Sequence, residues 1–177
     1  MLRVVEIANK FPRVEAVLAS IKEKYEYVGK TFSIVVPEKI EQIIEEGQAL
    51  KHCLDRSDRY FERIANQESY IVFLRRTQAM EQPYYTLEIE PDGTTRQKRT
   101  VGDNQNNDYH RAEKFLKKWQ AAIRPRLSQE DFERQEISRQ LRMYELESLR
   151  NDKVTVHGGI HAGELLADIL EADLMEA

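Results

Sequence analysis

Apolar positions along this chain fall into helical and strand-like periods. Val14, Val17, Leu18, Ile21 and Tyr25 recur at helical spacing and predict a helix over 11–27, opening near Phe11-Pro12 and closing before Gly29. TFSIVV, residues 31–36, is short and β-rich. Pro37 suits a first helical turn, and Ile40, Ile43, Ile44, Leu50 and Leu54 then share one stripe. Gly47 lies on that stripe; a glycine there weakens the helix and points to close approach by another backbone. A short helix through Tyr60, Phe61 and Ile64 follows.

The clearest strands come next. SYIVFLR (69–75) and PYYTLEIE (83–90) precede a Pro91-Asp92-Gly93 turn, and TTRQKRTV (94–101) returns. A three-residue loop ending in Gly fits a type I turn with a G1 bulge. A regular ladder from that turn sets Glu90 against Thr94, Glu88 against Arg96 and Thr86 against Lys98, on one solvated face with charges matched. Tyr85, Leu87 and Ile89 take the other face, opposite Arg99, Gln97 and Thr95. Gln97 and Arg99 then line a polar cleft or a half-covered face, since buried polar groups need partners. Arg75 shares the parity of Ile71 and Phe73 and also points inward.

GDNQNND (102–108) reads as a loop, followed by a helix from Tyr109 to Ile123 with Phe115, Leu116 and Trp119. Ser128 and Asp131 form a capping-box pattern for a long charged helix toward Arg150. Its sparse apolar residues, Phe132, Ile137, Leu141, Tyr144 and Leu149, mark a narrow seam, facing the domain or another chain. The remainder predicts an extended piece, a Gly turn and an amphipathic helix. The expected fold is α+β: a three-stranded antiparallel β-meander packed by helices, with a long charged helix and a C-terminal helix. Ile40, Ile43, Leu50, Ile71, Phe73, Leu87, Ile89, Phe115, Leu116 and Trp119 are expected in its core.

Size and charge narrow the class. The length, 177 residues, fits one domain with an appendage, and 33% charged residues suit long solvated helices. A single cysteine excludes an internal disulfide and favours a cytoplasmic origin. No apolar run reaches the length of a membrane span, and MLRVVEIANKF lacks the features of a signal peptide. The net charge of −4 disfavours general affinity for nucleic acid but leaves room for a local basic patch.

Candidate chemistry centres on His52-Cys53. Neighbouring helical side chains diverge by about 100°, so adjacency does not make a catalytic pair. Cys53 reads as packing, because a helix C-terminus raises a thiol pKa. His52 either caps carbonyls or reaches a neighbouring site. His52, Cys53, His157 and His161 are the obvious soft ligands, but CxxC and HExxH are absent, so neither a metal nor a cofactor is expected. Arg75, Thr86, Glu88, Gln97, Arg99 and Asn104 form a polar set that converges only if the hairpin carries a bulge. Glu88 is conceivable as a general base; a ladder of charges is the plainer reading. Arg96, Lys98 and Arg99, then Lys114, Lys117 and Lys118, then Arg124 and Arg126 could hold phosphates if clustered, although interspersed acids favour a solvated surface.

The ordered string EGQALKHC, SYIVFLRR, QPYYTLEIEPDGTTRQKRTVGDNQN, FLKKW resembles the PcfJ-like family, carried by conjugative plasmids, integrative elements and phages. The resemblance covers roughly residues 30–120. It rests on Glu46, Gly47, Leu50, His52, Cys53, Arg75, Thr86, Glu88, Gln97, Arg99 and Asn104. The family often has Gly directly after Gln-x-Arg; here Thr100-Val101-Gly102 stands there. Relatives carry a helical region upstream, which implies that 1–30 is the remnant of such a region, 31–127 the core domain and 128–177 a helical extension. Three functions stay open: a mobile-element accessory binding nucleic acid or conjugation and phage proteins; a hydrolase acting on a nucleotide or nucleic acid, with His52, Arg75 and Gln97 catalytic and Thr86, Glu88, Arg99 and Asn104 binding; and a protein–protein module using the long helix. No membrane partner is expected.

Overall fold

The stripe that begins at Val14 is buried along a helix, but that helix is shorter than 11–27. A computed structural model describes residues 2–51, 57–100 and 108–177. It opens with α1 (Leu2–Lys10) and α2 (Val14–Tyr25) on either side of Pro12, which has no N–H to continue a helical ladder. Two strands follow, β1 (Tyr27–Val28) and β2 (Phe32–Val35), then α3 (Ile40–Ala49) and α4 (Arg59–Ala65). Pro37 thus precedes the first helical residue, and the Gln42 side chain accepts from the Glu38 and Lys39 amides at 2.6 and 3.0 Å.

Next come β3 (Tyr70–Arg76), β4 (Tyr85–Ile89) and β5 (Thr95–Arg99). The helices α5 (Tyr109–Ile123), α6 (Gln129–Asn151) and α7 (Leu166–Asp173) follow, with short 3-10 turns at Thr77–Ala79 and Arg124–Arg126. Ser128 and Asp131 close the expected capping box on α6.

The fold is α+β with an antiparallel sheet, but the sheet has five strands, in sequence order, rather than three. Of the two extra strands, β2 falls within the β-rich 31–36, but pattern does not place it in the sheet, and β1 escapes pattern reading altogether. β1 is two residues long, too short to alternate. β2 pairs with β1 on one side and on the other with β3, from which two helices separate it in sequence, so no hairpin signal joins β2 to the meander.

The turn forms as expected: Gly93 has φ +93°, and Glu90 N–H donates to Thr94 O at 2.7 Å. Ile89 pairs with Thr95, but the next pair is Glu88 with Gln97, which leaves Arg96 as an extra residue. The expected pairs Glu88–Arg96 and Thr86–Lys98 are therefore replaced by Glu88–Gln97 and Thr86–Arg99. A one-residue slip exchanges faces. Gln97 and Arg99 lie with Glu88 and Thr86, not with Leu87 and Ile89.

Both faces are covered. On one, Tyr70, Val72, Leu74, Leu87 and Ile89 meet α2 and α5: the Tyr25 and Tyr70 rings are 5.6 Å apart, and Trp119 donates to Tyr25 O at 2.8 Å. The other face, expected to be solvated, is buried and ionic, with Glu88, Glu90 and Arg96 inside. Of the expected core, Phe115 alone is only half-buried.

On α6 the expected seam does not face the sheet. Asp131, Ser138 and Arg142 are buried, whereas Ile137, Leu141 and Tyr144 are 59, 44 and 73% exposed.

Candidate functional site

Two polar centres occupy the ionic face. The first joins β3 to α3. Arg75 donates to both Glu46 oxygens at 2.5 and 2.7 Å and to Met80 O at 3.1 Å, with its guanidinium 4.8 Å from the Phe73 ring centre. The parity that sends Arg75 inward meets an acid that the α3 stripe turns toward the sheet.

The second centre surrounds the bulge. Glu88 accepts from Arg63 at 2.9 Å and Ser69 at 2.6 Å on one oxygen, and from Gln97 at 3.4 Å on the other. Arg63 continues to Glu145 at 2.6 Å. Glu90 accepts from Arg96 at 2.5 Å, Arg142 at 2.7 and 3.2 Å and Gln135 at 2.7 Å. Arg96 also reaches Glu68 at 3.0 Å and the Ser138 carbonyl and hydroxyl, each at 3.1 Å. The bulge makes this possible: Arg96 and Gln97, neighbours in sequence, both meet carboxylates of one face.

Burial alone would push the Glu90 carboxyl up. The Arg142 bond, the charge and bond of Arg96 and the Gln135 bond outweigh it and hold Glu90 below the ordinary carboxylate range. For Arg63 and Arg96 burial alone would pull the guanidinium down; the charges of Glu88 and of their other acidic partners outweigh it and raise both.

A cavity of about 30 Å³, room for about two waters, lies beside this centre. Arg63, Glu88, Arg96, Gln97, Arg142 and Glu145 form its polar wall and Leu146, Leu170 and Leu174 its apolar one. Five carboxylates (Glu68, Glu88, Glu90, Glu145, Glu176) meet four guanidiniums (Arg59, Arg63, Arg96, Arg142), so among the described residues every guanidinium of the centre already faces an acid. Its chemistry is that of a lock: nearly every charge is fixed by a directed partner.

Of the residues read from sequence, Glu88 and Gln97 touch each other and line the cavity. Thr86 pairs with Arg99, whose guanidinium donates to Asp173 and to Lys98 O. Arg75 belongs to the separate Glu46 centre. His52, Cys53 and Asn104 lie outside the described residues. His157 and His161 sit on an exposed loop, where His161 contacts Glu164 at 2.5 Å. Sequence reasoning misses Arg63, Ser138 and Arg142, and it places Glu90 on a solvated face. For Ser138 and Arg142 the one signal is the phase of Asp131, Gln135, Ser138 and Arg142 on a single side of α6, which a search for apolar stripes passes over; Arg63 on α4 carries no such signal.

The basic residues divide sharply. Arg96 and Lys98, expected on a solvated face, are buried and paired within the molecule. On α5 the apolar stripe Ala112, Leu116, Trp119 and Ile123 turns inward, so Arg111, Lys114 and Lys118 fall in an exposed row about 10 Å long. Lys117 is exposed beside it, with Arg124 and Arg126 beyond the helix end, and Glu113 is the one acid within α5. Among the described residues no ion pair engages Arg111, Lys114 or Lys118.

Comparisons with known proteins give a family and little else. A family model described as PcfJ-like protein matches residues 5–114, more than half of the chain. An uncharacterized protein of Listeria innocua is 29% identical over 105 residues, which is 58% of this chain and 22% of that relative. The chain therefore spans about a fifth of that relative's length. No solved structure matches significantly.

Proposed function

This chain belongs to the PcfJ-like protein family, and from that premise we propose that it is a mobile-element accessory that holds nucleic acid by its backbone along the solvent face of α5. The observation that carries this reading is the cationic row Arg111, Lys114 and Lys118, exposed and unengaged by any described acid. Phosphate contacts of this kind position a protein on nucleic acid without reading sequence. The net charge of −4 means that the attraction is local and weakens rapidly with salt.

Retardation of a 30-nucleotide duplex across a salt series tests it. Three phosphate contacts give a log–log slope of about −2.7. Lys114→Glu with Lys118→Glu should weaken binding at least tenfold and flatten the slope, with thermal stability unchanged. Binding that ignores this double substitution would remove α5 as the interface.

A second reading, a protein–protein module, has its own support in the exposed Ile137, Leu141 and Tyr144 on α6. The hydrolase reading has less. Arg75 is engaged by Glu46 and Met80, Gln97 by Glu88, and no described hydrogen bond joins Arg75 to Gln97.

A further inference from the structure

β5 is the last strand of the sheet, and its outer edge is not bare. Beyond α7 the chain turns extended and lies along it. Thr95 and Met175 exchange both backbone hydrogen bonds at 2.9 Å, in antiparallel pairing. Ala177 N–H donates to the Thr94 hydroxyl at 3.1 Å. Asp173 stands where a neighbouring strand's carbonyl would be: its carboxylate accepts the Lys98 N–H at 3.0 Å and the Lys98 ammonium at 3.1 Å. The Asp173 carbonyl accepts that ammonium at 2.6 Å, and Arg99 also donates to the carboxylate.

We propose that the outer edge of β5 is a strand-addition site for an extended segment of a partner protein with an acidic-x-apolar pattern, and that residues 173–177 occupy it in cis. The chemistry of the edge defines the partner. Lys98 is 1% exposed, so whatever covers it must bring an anion. Two residues on, the Thr95 N–H and C=O require an extended backbone. The side chain there must be slender and apolar, because Met175 is buried.

Exchange requires a short, defined set of contacts to break. Of residues 173–177 Asp173 and Met175 are buried, and besides the edge contacts Gln120 donates to Met175 O at 3.0 Å and Lys117 to Glu176 O at 2.7 Å. Residues 157–164, which lead into α7, are all exposed, and a Cβ at Gly158, Gly159 or Gly163 would meet nothing within 4 Å. An unpaired edge is a template for another strand, and a segment that covers it in cis lowers the apparent affinity of one arriving in trans.

The test uses a fluorescent peptide with the sequence of residues 169–177 and the full chain, read by anisotropy. Asp173→Ala in the chain weakens the cis segment and should tighten peptide binding at least tenfold over the unaltered chain. Met175→Pro, which removes one pairing N–H, should do the same without taking the acid from Lys98. Peptides carrying either substitution should bind at least tenfold more weakly, and they leave the folding of the chain untouched. In hydrogen exchange of the unaltered chain, the Thr95 amide should open before the Val72 amide in the sheet interior. No peptide binding by either folded variant, or Thr95 exchanging only together with Val72, would make the segment a fixed part of the fold and overturn the proposal.

Discussion

Glu90 has 0% of its surface in contact with solvent, and it is ionised there. A buried carboxylate is tolerable only when its oxygens are saturated by directed donors, and here Arg96, Arg142 and Gln135 saturate them. Arg142→Ala removes two of those bonds and leaves the charge in place. The expected cost is about 3 kcal/mol, read as a lowered urea midpoint with an unchanged slope. By contrast Glu136→Ala, which breaks the exposed Glu136–Arg139 pair, should leave the midpoint where it is. Individual residues were legible where parity alone decides. Arg75 follows Ile71 and Phe73 inward, and an acid meets it. A regular ladder puts Gln97 and Arg99 on the wrong face because Arg96 is an extra residue in a strand that carries neither Gly nor Pro to mark the place. Convergence of Glu88 with Gln97 required a bulge; which residue would form it could not be read from TTRQKRTV.

On α6 the ordinary rule of amphipathic helices is reversed. Its apolar residues Ile137, Leu141 and Tyr144 share a solvent face, and its polar residues Ser138 and Arg142 face the sheet, because the sheet offers Glu90 and Arg96 rather than an apolar surface. Two substitutions separate this arrangement from an ordinary amphipathic packing. Leu141→Gln, on the exposed side, should change stability by less than about 0.5 kcal/mol. Ser138→Leu gains apolar area but loses the hydroxyl bonds to Arg96 and to Glu68 O, and should cost roughly 2–3 kcal/mol in thermal or urea unfolding. The reverse order would mean that α6 packs through its apolar seam. At this scale the sequence was most legible in α2, α3, β3, β4 and α5, where apolar period and burial coincide. α6 itself was placed correctly with its cap, while its orientation was hidden: period reports a stripe, not what the stripe faces.

The sheet divides the molecule into two unlike halves. One face is filled by aromatic and aliphatic side chains; the other is held by ion pairs that work only while their carboxylates are charged. Stability should therefore depend on acid in a defined direction. Glu90 is held below its ordinary value of 4.5. Asp131 is held below 3.8, since the bonds from Lys24 and Ser128 outweigh the upward push of burial. A carboxyl depressed by folding stabilises the folded state above its unfolded pKa, and that contribution is lost as pH falls through the folded one. The free energy of unfolding, followed by urea titration from pH 7 to pH 3, should hold nearly level at first and then fall below about pH 4.5. Glu90→Gln should be less stable than the parent at pH 7, because the Arg96–Arg142 pair loses its anion, yet should decline less steeply toward pH 3. If parent and variant descend in parallel, Glu90 does not carry the acid dependence, and the ionic half of the molecule is bound together by something other than its charge.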